Sequence, residues 1–355
     1  MNDIKIGNRR IGEGHPPFIV AEMSGNHNQS LAKALALVDA AAVAGAHALK
    51  LQTFTADTMT IQSDAPPFRV DAENPLWDGE NLYRLYQKAQ TPWAWHMPIF
   101  QRAKKRGLVC FSSPFDSTAV DFLESLAAPC YKVASFENED WPLLKRVAAT
   151  RKPVIVSTGM TTKPILKDIV RALRTAGCKD IILLKCTSSY PAEPADSNLL
   201  TIPDMARVFK CHVGLSDHTM GIGASVAAVA LGCRLIEKHF TLDRADGGVD
   251  SAFSLDPAEL KMLVSGAKTA FEALGRVSYG ISPGERHNVR YKRSIYVVAD
   301  IEAGDVISQN NVRVIRPGQG LKPRYFDSVL GRRARKAVKR GTPLAWPMIT
   351  GRPSS

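Results

Sequence analysis

Between residues 18 and 274, eight short apolar runs alternate with stretches of helical period. The runs lie at 18–23, 48–52, 108–112, 131–134, 154–157, 181–185, 212–215 and 234–238. Each is short and apolar at nearly every position, as expected of a strand buried on both faces. Eight such strands with intervening helices in roughly 250 residues predict an α/β fold, a (β/α)8 TIM barrel. Local signals agree. Ser30 stands as an N-cap before an Ala-rich helix starting at Leu31, and Pro92 and Pro142 stand near the starts of two others. Residues 55–90, with Pro66-Pro67, Trp77 and Tyr83, break the rhythm. A loop that long inside a compact domain is expected to be a lid or a substrate wall.

The barrel pattern occupies 1–275. Residues 276–292 are polar and irregular and read as a linker. A small β-rich module follows at 293–355, opening with Arg293-Ser294-Ile295-Tyr296-Val297-Val298. It is near the lower limit for an independent core, so it is expected to dock onto another surface.

The net charge is +12, and residues 286–355 carry 15 Lys and Arg against 4 Asp and Glu. These charges alternate with Val, Ile, Pro and Gly, and no aromatic stacking platform accompanies them. That pattern argues against nucleic acid and for a small anionic substrate. The six cysteines, Cys110, Cys130, Cys178, Cys186, Cys211 and Cys233, form no CxxC pair and read as buried reduced thiols. No basic stretch leads into an apolar leader, and no run approaches the ~20 apolar residues of a membrane helix. A cytoplasmic protein without membrane contact is expected.

In a TIM barrel, the carboxyl ends of the strands open onto the active site. Here those ends carry Glu22, Ser24, Asn26, His27 and Asn28; Lys50, Gln52 and Thr53; Ser112 and Ser113; Lys132, Ser135 and Glu137; Ser157, Thr158 and Gly159; Lys185, Thr187, Ser188, Ser189 and Tyr190; Ser216, Asp217 and His218; and Glu237, Lys238 and His239. Lysines and glutamates are rarely buried unless paired, so their recurrence predicts a charged cavity at the barrel mouth. Lys50, Lys132 and the serine hydroxyls suit a phosphate or carboxylate. Ser157-Thr158-Gly159 is expected to add backbone N–H donors at a helix entrance. His218 and His239, on neighbouring strands, suit one divalent metal acting on a carbonyl oxygen. Glu22 and Glu237 are candidate general acids or bases, or partners of the lysines. Anion, metal and carbonyl together point to aldol-type carbon–carbon bond formation. A metal-dependent hydrolase fits less specifically. A Schiff-base aldolase on Lys50, Lys132 or Lys185 is a further alternative, against which the histidine pair argues.

These motifs resemble the sialic acid synthase family. The resemblance is carried by Ala21-Glu22-Met23-Ser24-Gly25-Asn26-His27-Asn28, Lys50-Leu51-Gln52-Thr53, Ser113-Pro114-Phe115, Tyr131-Lys132, Ser157-Thr158-Gly159-Met160, Cys186-Thr187 with Tyr190-Pro191, Gly214-Leu215-Ser216-Asp217-His218-Thr219 and Glu237-Lys238-His239-Phe240-Thr241. The C-terminal module, with Arg316-Pro317-Gly318, is similar to the antifreeze-like (SAF) domain of these enzymes.

The resemblance implies a transferase. It would condense phosphoenolpyruvate with the open-chain aldehyde of an N-acyl amino sugar, releasing phosphate and a nine-carbon 2-keto acid. It also implies a domain-swapped homodimer. His218 and His239 would bind a divalent cation, Mn2+, Mg2+ or Co2+. Lys50, Ser113, Lys132, Ser135, Ser157 and Ser216 would hold phosphoenolpyruvate. Gln52, Tyr190, Asp250, Phe253 and Arg316 would face the sugar, and Glu22, then Glu237, would position the water. Within the family, residues 82–86, Thr91-Pro92-Trp93, 132–138 and 244–255 look like the pseudaminic acid synthase branch, which uses a 2,4-diacetamido-2,4,6-trideoxy-altrose. N-acetylneuraminate and legionaminate synthases, with the same mechanism, are the alternatives; a non-catalytic anion-binding protein is a remote one. Met23, Phe54, Phe136 and Phe253 are candidates for apolar contact with a 6-deoxy sugar.

Overall fold

The computed structural model describes residues 1–70 and 80–351. The chain divides into two compact units, Met1–Gly275 and Arg276–Ser355. The first opens with a hairpin, β1 (Ile4–Ile6) and β2 (Arg9–Ile11). Eight parallel strands then close into a barrel: β3 (Phe18–Glu22), β4 (Ala48–Thr53), β5 (Val109–Pro114), β6 (Tyr131–Val133), β7 (Val154–Ser157), β8 (Ile181–Cys186), β9 (His212–Asp217) and β10 (Leu235–His239). The order around the closure is β10-β3-β4-β5-β6-β7-β8-β9. The (β/α)8 barrel expected from the apolar runs is therefore present, with each strand within about two residues of its expected bounds.

Period-two alternation divides the strand side chains between two cores. Ile19, Ala21, Leu49, Leu51, Val154, Val156, Val213 and Ile236 face outward and pack against the helices. Phe18, Val20, Ala48, Phe111, Cys130, Ile155, Ile182, Leu184 and Leu235 fill the interior. Ile4, Ile6 and Ile11 of the hairpin join that interior cluster. Gly214 on β9 carries no side chain for a steric reason. An added Cβ would lie 2.3 Å from the Leu235 carbonyl oxygen.

Helices start where the sequence places caps. Ser30 accepts a hydrogen bond from the Lys33 N–H at the start of Leu31–Ala44, and Gly45 closes that helix in the left-handed region. Asp256 and Glu259 form a capping box on Pro257–Leu274.

The expected loop at 55–90 contains ordered elements. Ala56–Met59 and Leu82–Ala89 are helical and Pro66–Phe68 is a 3-10 turn. Thr55 and Asn81 supply the helix N-caps. Asn81 also donates to the Ser63 carbonyl at 2.6 Å, which fastens the second helix back onto the segment. Trp77 lies outside the described residues.

The second unit pairs β11 (Ser294–Val297) with β12 (Val312–Ile315) antiparallel and adds isolated bridges such as Ile301 with Val338. Ile295, Val297, Ile301, Ile307, Val312, Val329, Leu344 and Ile349 make its core. Residues 283–291 form a 3-10 segment, Pro283–Tyr291. Among the described residues, no helix is long and apolar enough to cross a membrane.

Candidate active site

The alternation that fills the barrel floor also delivers the polar residues above it. Two residues beyond Val20 on the same face comes Glu22; beyond Ala48 come Lys50 and Gln52; beyond Phe111, Ser113. Cys130 is followed by Lys132, Ile155 by Ser157, Leu184 by Cys186, and Leu235 by Glu237 and His239. Above the apolar layers lies a cavity of about 810 Å³. Lys50, Gln52, Lys132, Ser135, Ser157, Tyr190, Ser216, His218, Glu237, His239 and Asp250 all line it.

Its floor is a buried network of lysines and carboxylates. Lys50 Nζ lies 3.0 Å from Glu22 Oε2, 3.5 Å from Glu237 Oε1 and 3.3 Å from Ser113 Oγ. Lys132 Nζ and Ser216 Oγ both donate to Glu237 Oε1, at 3.0 and 3.1 Å. Burial works against charge throughout. It opposes ionisation of Glu237, but Lys132 and Lys50 outweigh it and hold the carboxyl at about 2. It also opposes the Lys50 ammonium, which Glu22 and Glu237 nonetheless raise above the ordinary lysine value. For Lys132 burial prevails, and the ammonium is weakened despite Glu237.

Buried polar atoms without a hydrogen-bond partner concentrate here. Of eight such side-chain atoms among the described residues, five belong to Glu22, Glu137, Ser157, Glu237 and His239. Two of the five still face charge: Glu22 Oε2 has Lys50, and His239 Nδ1 has Asp250 Oδ2 at 3.5 Å without hydrogen-bond alignment. Enclosed, unsatisfied polar atoms are costly, so their gathering marks a place built to receive a polar ligand.

The histidine pair fits a metal cation. The two rings lie 5.3 Å apart between centroids. His218 Nδ1 lies 2.8 Å from the Thr187 carbonyl oxygen. A carbonyl only accepts, so Nδ1 carries a proton, which leaves Nε2 as the nitrogen a cation would take. Among the described residues, no three His, Cys, Asp or Glu side chains gather closely enough to hold a metal ion alone. A cation on these two imidazoles would complete its coordination from substrate and water.

The remaining expected residues fall less directly on the cavity. Glu22 is fully buried beneath the lining and is engaged by Lys50 and by Gln52 Nε2 at 3.1 Å. Ser113 reaches the site through Lys50. Phe253 is buried behind the lining, with ring centroids 5.0 Å from His239 and 5.4 Å from Tyr190. Arg316 belongs to the second unit, where it is exposed and joined to Pro317 by a cis peptide bond.

Three expectations need correction. Met23 is wholly buried in the core between barrel and helices, so it is not a sugar contact. The backbone N–H groups after β7 are already used: Thr158 donates to the Leu184 carbonyl and Gly159 to Ser135 Oγ at 3.2 Å. The following helix begins only at Lys163, so the Ser157-Thr158-Gly159 turn is not a helix entrance. Gly159 instead permits close packing, since a Cβ there would meet Ser188 Oγ at 2.2 Å. Lys185 is turned away from the cavity and donates to the Cys186 carbonyl and to Thr187 Oγ1, which removes it as an imine-forming lysine.

Phe54 and Phe136, candidates for apolar sugar contact, do line the cavity, and so do two groups to which the sequence assigns no role, Glu137 and Cys186. Glu137 lines the cavity, and burial pushes its carboxyl up to about 7 despite Lys132. Cys186 also lines it; burial raises its thiol, but hydrogen bonding with His218 outweighs that and brings it to about 6. A wall of Phe54, Met59, Leu82, Leu85, Tyr86, Phe115 and Phe136 faces the charged floor. Phe136 is 68% exposed.

Comparison with known proteins decides the family. The NeuB family profile matches residues 37–279. This chain belongs to the NeuB family. An SAF domain is matched at residues 292–350. The chain is 43% identical over 331 residues to the pseudaminic acid synthase of Helicobacter pylori, covering 93% of this chain and 97% of that protein. It is 42% identical over 327 residues to the pseudaminic acid synthase of Campylobacter jejuni, covering 92% and 95%. Among solved structures, the spore coat polysaccharide biosynthesis protein SpsE of Bacillus subtilis superposes with a TM-score of 0.67 at 33% identity, covering 99% of this chain and all of that one. A NeuB barrel followed by an SAF domain thus accounts for nearly the whole chain.

Proposed function

We propose that this NeuB-family chain is a pseudaminic acid synthase. It condenses phosphoenolpyruvate with 2,4-diacetamido-2,4,6-trideoxy-altrose to give pseudaminic acid and phosphate. The observation that carries this reading is the division of the cavity, a floor of Lys50, Lys132, Glu237 and serine hydroxyls beside the His218–His239 pair and facing an apolar wall. It is supported by 42–43% identity to pseudaminic acid synthases over more than nine-tenths of the chain.

Lys50 and Lys132 take the phosphoenolpyruvate anion, with Ser135, Ser157 and Ser216 as neutral donors. Because both lysines are already paired, an incoming anion must share them with Glu237. That sharing places the reacting enol beside the unpartnered Glu237 Oε2. Gln52, Tyr190 and Asp250 orient the sugar aldehyde. A divalent cation on His218 and His239 supplies Lewis acidity to the aldehyde oxygen when bound.

The enol C3 attacks the aldehyde carbon, forming the new C–C bond, and the former carbonyl oxygen takes up a proton. Water adds to the resulting cationic C2, giving its proton to a carboxylate. The bond between C2 and the bridging oxygen then breaks as the new C2 hydroxyl gives up its proton, which leaves a ketone at C2 and a phosphate carrying the bridging oxygen and that proton. Glu237 is the first candidate for the proton acceptor because it lines the cavity as an ionised carboxylate, whereas Glu22 lies beneath it. In this reading Glu22 holds Lys50 charged. The swapped dimer is part of the proposal, with Arg316 reaching the partner's sugar site.

The reading is tested by incubating the protein with Mn2+, the diacetamido sugar and phosphoenolpyruvate labelled at the bridging oxygen. Label recovered in phosphate, together with a nine-carbon 2-keto acid, is expected. Label retained in the organic product would overturn the bond assignment, and no product would overturn the function.

A further inference from the structure

We infer that Asp217 and Lys238 form a buried brace that positions His218 and His239 without touching substrate; this rests on the two-histidine reading above. Each brace residue immediately precedes one histidine, and the two are register partners on neighbouring strands β9 and β10. Alternation turns them away from the cavity, toward the helices, while the histidines turn into it. Both are almost fully buried.

Their contacts tie together the two strand ends that carry the imidazoles. Lys238 Nζ lies 3.3 Å from Asp217 Oδ2 and also donates to the Thr219 carbonyl. Asp217 Oδ1 accepts from the Thr219 N–H at 2.9 Å and from Thr219 Oγ1 at 2.8 Å. Asp217 Oδ2 accepts from Ser225 Oγ at 2.5 Å, in the helix Gly223–Ala230. His218 is therefore enclosed between two anchored residues, Asp217 and Thr219. Lys238 carries that anchorage across to the strand end of His239.

The energetics favour a geometric role. A buried ion pair returns little net stability compared with apolar residues of similar size, and its best-attested use is to specify one arrangement. Two imidazole nitrogens that would share one cation tolerate little relative movement of their strands. An unbraced pair of strand ends would still fold but would hold the nitrogens less closely to that spacing.

The test is Mn2+ titration of the full-length protein, read from the electron paramagnetic resonance signal of free Mn2+, alongside thermal unfolding. The double variant Asp217→Asn/Lys238→Met removes both charges and leaves none buried alone. It is expected to unfold at a temperature no lower than about 3 °C below wild type, while its Kd for Mn2+ rises about tenfold or more. Excess Mn2+ should restore kcat, with KM for phosphoenolpyruvate changed less than about twofold. Ser225→Ala, a milder change, should raise the Kd about threefold even if the double variant fails to fold. A folded double variant, or failing that Ser225→Ala, with wild-type Mn2+ affinity overturns the brace. Wild-type protein that takes up no Mn2+, or takes it up equally well as His218→Ala, overturns the two-histidine reading and the brace with it.

Discussion

Lys132 Nζ reaches Glu237 Oε1 at 3.0 Å across the width of the barrel, because β6 and β10 stand on opposite sides of the eight-strand closure. The contact joins the floor of the cavity from wall to wall, and Lys50 joins it from β4. The site is thus a single electrostatic unit, and removing one member acts on the others.

Lys132→Met leaves Glu237 with Lys50 as its remaining lysine partner. A broken buried pair typically costs about 3–5 kcal/mol, moderated here by Lys50. A loss of roughly 2–3 kcal/mol in urea unfolding is expected, with KM for phosphoenolpyruvate raised. Adding Glu237→Gln should recover most of the stability but none of the activity. Recovery of activity would place Lys132 outside substrate binding.

Glu237→Gln removes the carboxylate that competes with phosphoenolpyruvate for Lys50 and Lys132. KM for phosphoenolpyruvate is expected to hold steady or fall while kcat drops about 10²–10⁴-fold, the usual worth of a general base. Steady-state phosphate release measures both. A kcat within tenfold of wild type would move the proton-accepting role elsewhere in the cavity.

Glu137 predicts a pH effect with a definite sign. Its carboxyl sits near 7 in the fold against an ordinary 4.5, mainly through burial. The folded protein therefore keeps a proton that the unfolded chain has lost, and stability declines as pH climbs from 4.5 to 7. Glu137→Gln should gain up to about 3 kcal/mol at pH 8 and nothing at pH 4. Equal gains at both pH values in urea unfolding would contradict the burial argument.

Phe136 and Arg316 test the sugar side. Phe136→Ala removes an exposed ring from the cavity wall and should raise KM for the diacetamido sugar about tenfold, leaving KM for phosphoenolpyruvate alone. With Arg316 reaching the partner's sugar as proposed, Arg316→Ala should remove a charge-assisted contact worth about 1.5–3 kcal/mol and lower kcat/KM roughly 10- to 150-fold without changing the thermal stability of the barrel. Unchanged kinetics would remove either residue from the site.

The barrel and most of its polar mouth are legible in the sequence because both follow from one rule. A strand with alternating faces in a closed parallel barrel sends every second residue inward, so Val20 and Glu22, or Leu235 and Glu237, announce floor and site together. The hairpin below the barrel is hard to see in the sequence. Its signal is present in Ile4-Lys5-Ile6, Gly7 and Ile11, but six residues of strand are too few to stand out beside the eight-strand rhythm. The order within 55–90 was missed because it depends on long-range partners, such as Asn81 with the Ser63 carbonyl. The fate of Thr158 and Gly159 was likewise hidden, since strand and turn neighbours claimed N–H groups that a short motif leaves apparently free. Glu137 escaped emphasis because its raised carboxyl reflects burial, which no local pattern reveals.

The most direct test is the ratio of kcat/KM values for three acceptors with phosphoenolpyruvate and Mn2+: the diacetamido-trideoxy-altrose, the legionaminate precursor and N-acetylmannosamine. The altrose sugar is expected to exceed each of the others by about 10- to 200-fold, the range that apolar pocket differences of 1–3 kcal/mol deliver. Equal or greater kcat/KM for either competitor would contradict the pseudaminate assignment while leaving the charged floor and its chemistry in place.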